Sequence, residues 1–206
     1  MACVGDKKPE GILGEVRRFL EGLRQELPLI FMGPAACAQT PPVRKSLPFR
    51  GRDLPLRIEE APQARRCELI QEPDALILRR GAERAPPQAV VRRWYRDQAR
   101  EIFSERAAHW AAILGVRYQK LSIRDQRTVW GSCTKGGNLN FNWRVVMAPP
   151  SVLDYLVIHE LSHLLEMNHS KRFWGHVGRH CPDWKEHRSW LREHSRRLKA
   201  VIQRGT

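Results

Sequence analysis

Long apolar runs are missing from this chain of 206 residues. None approaches the roughly 20 residues needed to cross a bilayer, so membrane-spanning helices are excluded and no membrane partner is expected. Cysteine is scarce as well: Cys3, Cys37, Cys67, Cys133 and Cys181 are scattered, odd in number and never spaced C-x-x-C. That excludes a disulfide framework and a cysteine zinc ribbon, and it favours reduced thiols. No P-loop and no acidic Mg²⁺ cluster is visible. Met1 to Lys8 are polar and lack an apolar signal core, while Glu10, Glu15, Glu21 and Glu26 are at odds with an acid-poor transit peptide. A cytoplasmic protein is expected. Acid is the minority charge: 22 Asp and Glu stand against 36 Lys and Arg, a net charge of +14. The excess is met either by a solvated arginine-rich surface or by attraction to a polyanion such as nucleic acid.

The patterning that is present divides the chain. Ile12, Leu13, Val16, Phe19, Leu20, Leu23 and Leu27 recur at helical spacing, and the proline-rich stretch 28–48 follows as a linker. Residues 1–46 therefore read as an N-terminal helix and linker, either appended or docked, ahead of a main domain over 47–206. From Leu54 the period falls to two, and short strands are expected at 54–59, around Leu69 and Ile70, and at 75–78, with a turn at Glu72-Pro73-Asp74. Pro86-Pro87 precede a long helix over 88–114, with Val91, Tyr95, Ile102, Trp110 and Ile113 as its apolar stripe and Gly115 as its C-cap. Another strand is expected over Val116 to Ile123. Lys135-Gly136-Gly137 then reads as a turn between arms 128–134 and 138–147, with Asn138 to Val146 in the second arm a candidate edge for a bound peptide. The spacing predicts an α+β fold, with a small antiparallel sheet, a buried helix opened by a Ser151–Asp154 capping box, and a C-terminal helix over 183–203 with a basic outer face.

The buried helix carries His159-Glu160-Leu161-Ser162-His163. Positions i and i+4 share a helix face, so both imidazoles can meet one metal ion, with Glu160 beside them as general base. Two histidines, a third ligand and an activated water describe a catalytic zinc site, in which hydroxide becomes available near neutral pH. His169 is the first choice for the third ligand, with His176, His180, Asp183 and Glu186 in reserve. An unbroken helix would carry His169 roughly 600° past His163, so the helix must end between them, and Asn168 is the expected left-handed stop. Tyr155, Asn142, Arg144 and His176 are open candidates for stabilising the transition state.

Trp130-Gly131-Ser132-Cys133, Asn142-Trp143-Arg144, Ala148-Pro149 and Asp154-Tyr155 lead into that motif. Asn168-His169-Ser170, Phe173-Trp174 and Cys181-Pro182-Asp183-Trp184 follow it. In this order they resemble the YgjP-like (DUF45) metallopeptidases, relatives of the SprT-like and WLM zinc peptidases. The resemblance runs from about Leu47 to Leu198. It implies a zincin-like fold, Zn²⁺ on His159, His163 and His169, Glu160 as catalytic base, and a protein or peptide substrate. Two other readings stand beside it: a metal-dependent nucleoside triphosphate hydrolase, and a basic nucleic-acid-associated zinc protein.

Overall fold

The computed structural model describes residues 45–83 and 85–202. The expected N-terminal helix and almost all of the linker lie outside them. Two compact units are present: Lys45, Ser46 and the described residues of Pro55–Ala89 belong to the first, and Leu47–Leu54 with the chain from Val90 onward form the second.

In the first unit three strands form a sheet in the order β2-β4-β3, built from β2 (Arg52–Glu60, from Pro55 onward), β3 (Glu68–Gln71) and β4 (Leu76–Arg80). β3 and β4 make the expected hairpin, closed where the Glu72 N–H donates to the Ala75 carbonyl at 2.9 Å. β4 then lies parallel to β2, with Leu56 opposite Leu76. The sheet is therefore mixed, not purely antiparallel. Alternation in a sequence tells which face a side chain takes but not which strand lies beside it. The most apolar strand takes the centre: Leu76, Ile77 and Leu78 are buried in succession.

The second unit opens with a hairpin that the sequence pattern missed. β1 (Lys45–Phe49) turns into β2 through Arg50 and Gly51, both at positive φ, as a two-residue hairpin turn requires. Lys45–Phe49 is thus a strand where irregular chain through Pro48 was expected. Helix α1 (Pro87–Leu114) follows, and Gly115 ends it at φ +68°. Its buried stripe is Val91, Tyr95, Ala99, Phe103, Ala107 and Ala111. Ile113 is nearly half exposed, so alanines replace the expected Ile102, Trp110 and Ile113. Small side chains at every second contact leave room for rings between them: Phe103 stacks on Phe141, with ring centroids 4.3 Å apart and planes 5° apart.

Phe141 belongs to the second sheet, ordered β5-β7-β6, with β5 (Lys120–Arg124), β6 (Gly131–Cys133) and β7 (Asn138–Asn142). β6 and β7 form the expected hairpin, and Gly137 takes φ +75° in its turn. β7 runs parallel to β5 and holds the middle of the sheet, so this sheet too is mixed. The arm is shorter than its alternation suggests. The Asn142 side chain accepts from the Arg144 N–H and turns the chain into a 3₁₀ helix, Trp143–Met147. Four further helices complete the unit: α2 (Pro150–Ser162), α3 (Lys171–His180), α4 (Trp184–Glu193) and α5 (Ser195–Ala200). The expected single C-terminal helix is broken at His194. No capping box opens α2. It starts from Pro149 and Pro150, whose fixed φ suits a first turn, while Asp154 takes a bidentate pair from Arg106 of α1. Among the described residues no helix is long and apolar enough to cross a membrane.

The α1–β7 packing is open to a direct check. Phe103→Ala should cost about 3–5 kcal/mol in urea unfolding, because it deletes a fully buried ring from a stacked pair.

Candidate metal centre

Helix α2 is apolar nearly all round, and Leu153, Leu156, Val157, Ile158 and Leu161 bury it. Its last turn tightens. The N–H groups of His163, Leu164 and Leu165 donate to the carbonyls three residues back, at 3.0–3.3 Å. That 3₁₀-type winding ends the helix at Ser162, and no left-handed residue is used, so the expected stop at Asn168 does not occur. His163 keeps helical angles at the cap, which preserves the i, i+4 relation to His159, and the two ring centroids are 5.1 Å apart. The Asn168 side chain instead accepts from the Ser170 N–H, bending the loop around His169. Ser170 in turn caps α3 by accepting from the Phe173 N–H.

His169 comes round to the other two. The Nε2 atoms of His159 and His169 are 3.1 Å apart, and one ligand nitrogen from each of His159, His163 and His169 lies within 4.8 Å of the others. Among the described residues this is the group of side chains able to hold a metal ion; His176, His180, Asp183 and Glu186 are not in it. Phe173 is fully buried beneath all three rings, with centroids 4.5–5.0 Å away. The His163 Nδ1 faces the Glu166 carbonyl at 3.3 Å, which assigns the proton to Nδ1 and leaves Nε2 as the free donor.

The electrostatics agree with this use. Burial first, then the neighbouring imidazoles, pushes His159 down to about 3, and burial lowers His163. Imidazole nitrogens that converge on one point suit a transition metal such as zinc, copper, iron or nickel. Tetrahedral ligands about 2.0–2.1 Å from zinc stand roughly 3.3 Å apart, close to the 3.1 Å found between His159 and His169.

Glu160 is 4% exposed, and burial pushes its carboxyl up to about 8. A cation on the histidines would act in the opposite direction and favour the ionised form. Its side chain rests on β6, where Gly131 leaves the space: a Cβ there would come within 2.6 Å of Oε1. That glycine is required by close approach, not by backbone angle.

His159, His169, Glu160 and Gly131 line an open cleft of about 680 Å³, together with Thr128, Val129, Trp130, Trp174, Arg188 and Arg192. Tyr155 lines it too, while Asn142, Arg144 and His176 do not. Asn142 and Arg144 are committed elsewhere: Arg144 is buried against Trp143 and pairs with Asp125 and the Ile202 carbonyl. Arg188 and Arg192 had no signal in the sequence beyond the basic face of their helix.

His169→Ala should weaken metal binding by at least about a hundredfold, measured by chelator competition and elemental analysis. His176→Ala and His180→Ala should leave it unchanged.

A family model for the YgjP-like metallopeptidase domain matches residues 35–194. No curated protein matches the chain. Among solved structures, the metallopeptidase zymogen of Pyrococcus abyssi abylysin is similar at 25% identity, over 46% of this chain and 93% of that one, with a TM-score of 0.41. With more than half of its length matched by that model, the chain belongs to the YgjP-like metallopeptidase family.

Proposed function

We propose that this metallopeptidase-family protein is a zinc-dependent peptidase with Glu160 as general base. The observation that carries the reading is the meeting of three ligand nitrogens, two of them from residues that line a cleft together with one buried carboxylate. His159, His163 and His169 would hold the ion. When bound, it supplies Lewis acidity that polarises a peptide carbonyl and eases the loss of a proton from water.

The chain's own groups account for the rest. Glu160 accepts the proton of the attacking water and returns it to the departing amine; its basicity lies between theirs. Tyr155 is held as a phenol, since burial pushes it up to about 12, so its O–H stays available to donate to a developing oxyanion. The substrate main chain is held along β6. That strand lies at the sheet edge and packs on α2, whereas β7, the arm expected from sequence to receive a peptide, is already paired on both sides. Gly131 sits on the same strand and keeps the Glu160 carboxylate in place.

In Glu160→Gln, peptide turnover should fall by about 10²–10⁴-fold while zinc content stays at the wild-type level. Activity within a few-fold of wild type would overturn the mechanism. Gly131→Ala should lower kcat by about tenfold or more with metal content intact, because the new methyl displaces the carboxylate from its resting place.

A further inference from the structure

One wall of the cleft is built from α4 and carries a charge that the reaction itself does not use. Arg188 and Arg192 line the cleft with His159, His169, Glu160 and Tyr155, and its one acidic side chain is Glu160. A second depression of about 430 Å³ continues along the same helix, lined by Trp184, Lys185, Arg188, Ser189 and Arg192. It has no acid.

The two arginines are not equivalent. Arg192 donates to the Ser189 hydroxyl at 3.1 Å, and that hydroxyl donates to Glu193 at 2.7 Å. Arg188 makes no ion pair with any described residue, and its guanidinium lies over the Trp174 ring, 5.4 Å from the centroid. Trp174 stacks on Trp184 at 4.0 Å and 18°. The cation is thus placed by a cation–π contact, which uses none of its N–H donors and leaves them for a bidentate partner. It is also close enough to matter at the centre: after burial, its charge is the next influence on Tyr155, drawing the phenol back down.

We propose that Arg188 is a specificity residue that binds a substrate carboxylate within one or two residues of the scissile bond. This rests on the peptidase reading above. The carboxylate comes from an Asp or Glu side chain or from a free C-terminus, since both present the planar pair of oxygens that a guanidinium matches.

The test uses the full chain loaded with zinc and quenched fluorescent peptides of one sequence. Those for the side-chain arm have an amidated C-terminus and carry Glu, Ala or Lys at each position flanking the cleaved bond. A further arm places a free C-terminus at the same distance. At one flanking position Glu should exceed Lys in kcat/KM by about tenfold. Arg188→Glu should invert that ratio, and Arg188→Lys should keep its direction at reduced size, because an ammonium keeps the charge but not the bidentate fork. A preference that appears only with the free C-terminus, and is lost in Arg188→Glu, supports the terminal carboxylate. Equal cleavage of Glu, Ala and Lys peptides and of both C-terminal forms, or a preference unchanged in Arg188→Glu, overturns the proposal and leaves the peptidase standing. If no peptide is cleaved, both readings fall. Nucleoside triphosphate turnover lost in Arg188→Glu would then move the arginine to a phosphate-bearing substrate.

Discussion

On the proposed reaction, Glu160 has to lie out of water and still face the place where water reacts. Desolvating a carboxylate is unfavourable, and the fold does it beside two imidazoles, His159 and His163, that burial and the neighbouring rings shift toward the uncharged form. The surroundings follow from that demand. Strand β6 approaches α2 closely enough that only glycine fits at 131. Phe173 fills the floor beneath the histidines and is fully buried. Arg106 and Asp154 tie α2 to α1, and each leaves about a quarter of its side chain exposed. Of these contacts only the one at Gly131 reaches the Glu160 carboxylate itself. Each keeps the reacting groups from moving apart.

What the sequence makes legible and what it hides separate along physical lines. The histidine spacing on α2 can be read because i, i+4 is a property of one helix. The turn at Gly136-Gly137 and the end of α1 at Gly115 can be read because they depend on local backbone freedom. Strand neighbours could not be read. β4 beside β2 and β7 beside β5 are decided by which apolar strand takes the centre, a choice made between segments far apart in the chain. The α1 stripe misled for a different reason. Alanine looks neutral in a pattern search, yet Ala99, Ala107 and Ala111 are what let α1 approach its neighbours. Asn168 was given the right task by the wrong means, since a side-chain turn does what a left-handed residue was expected to do.

The cleft shows the same division. His159, Glu160, His163 and His169 can be picked out by chemistry alone, because their residue types are rare in combination. Arg188 cannot, in a chain with 36 basic residues. Its distinction is positional: α4 turns it inward onto Trp174, while Arg197 on α5 points to Asp53 at 2.7–2.9 Å. The break at His194 is what lets two stretches of similar composition face different neighbours.

Strand β6 is three residues long, Gly131–Cys133, which at about 3.3 Å per residue gives an edge of roughly 10 Å. A main chain laid on so short an edge gains only two or three hydrogen bonds, and it must be extended and unpaired to do so. Helices and interior strands already use those groups, so they are poor guests. If peptide binds along β6 as proposed, an edge this short favours targets whose main chain is already free: exposed loops, frayed ends and chains that have lost their fold.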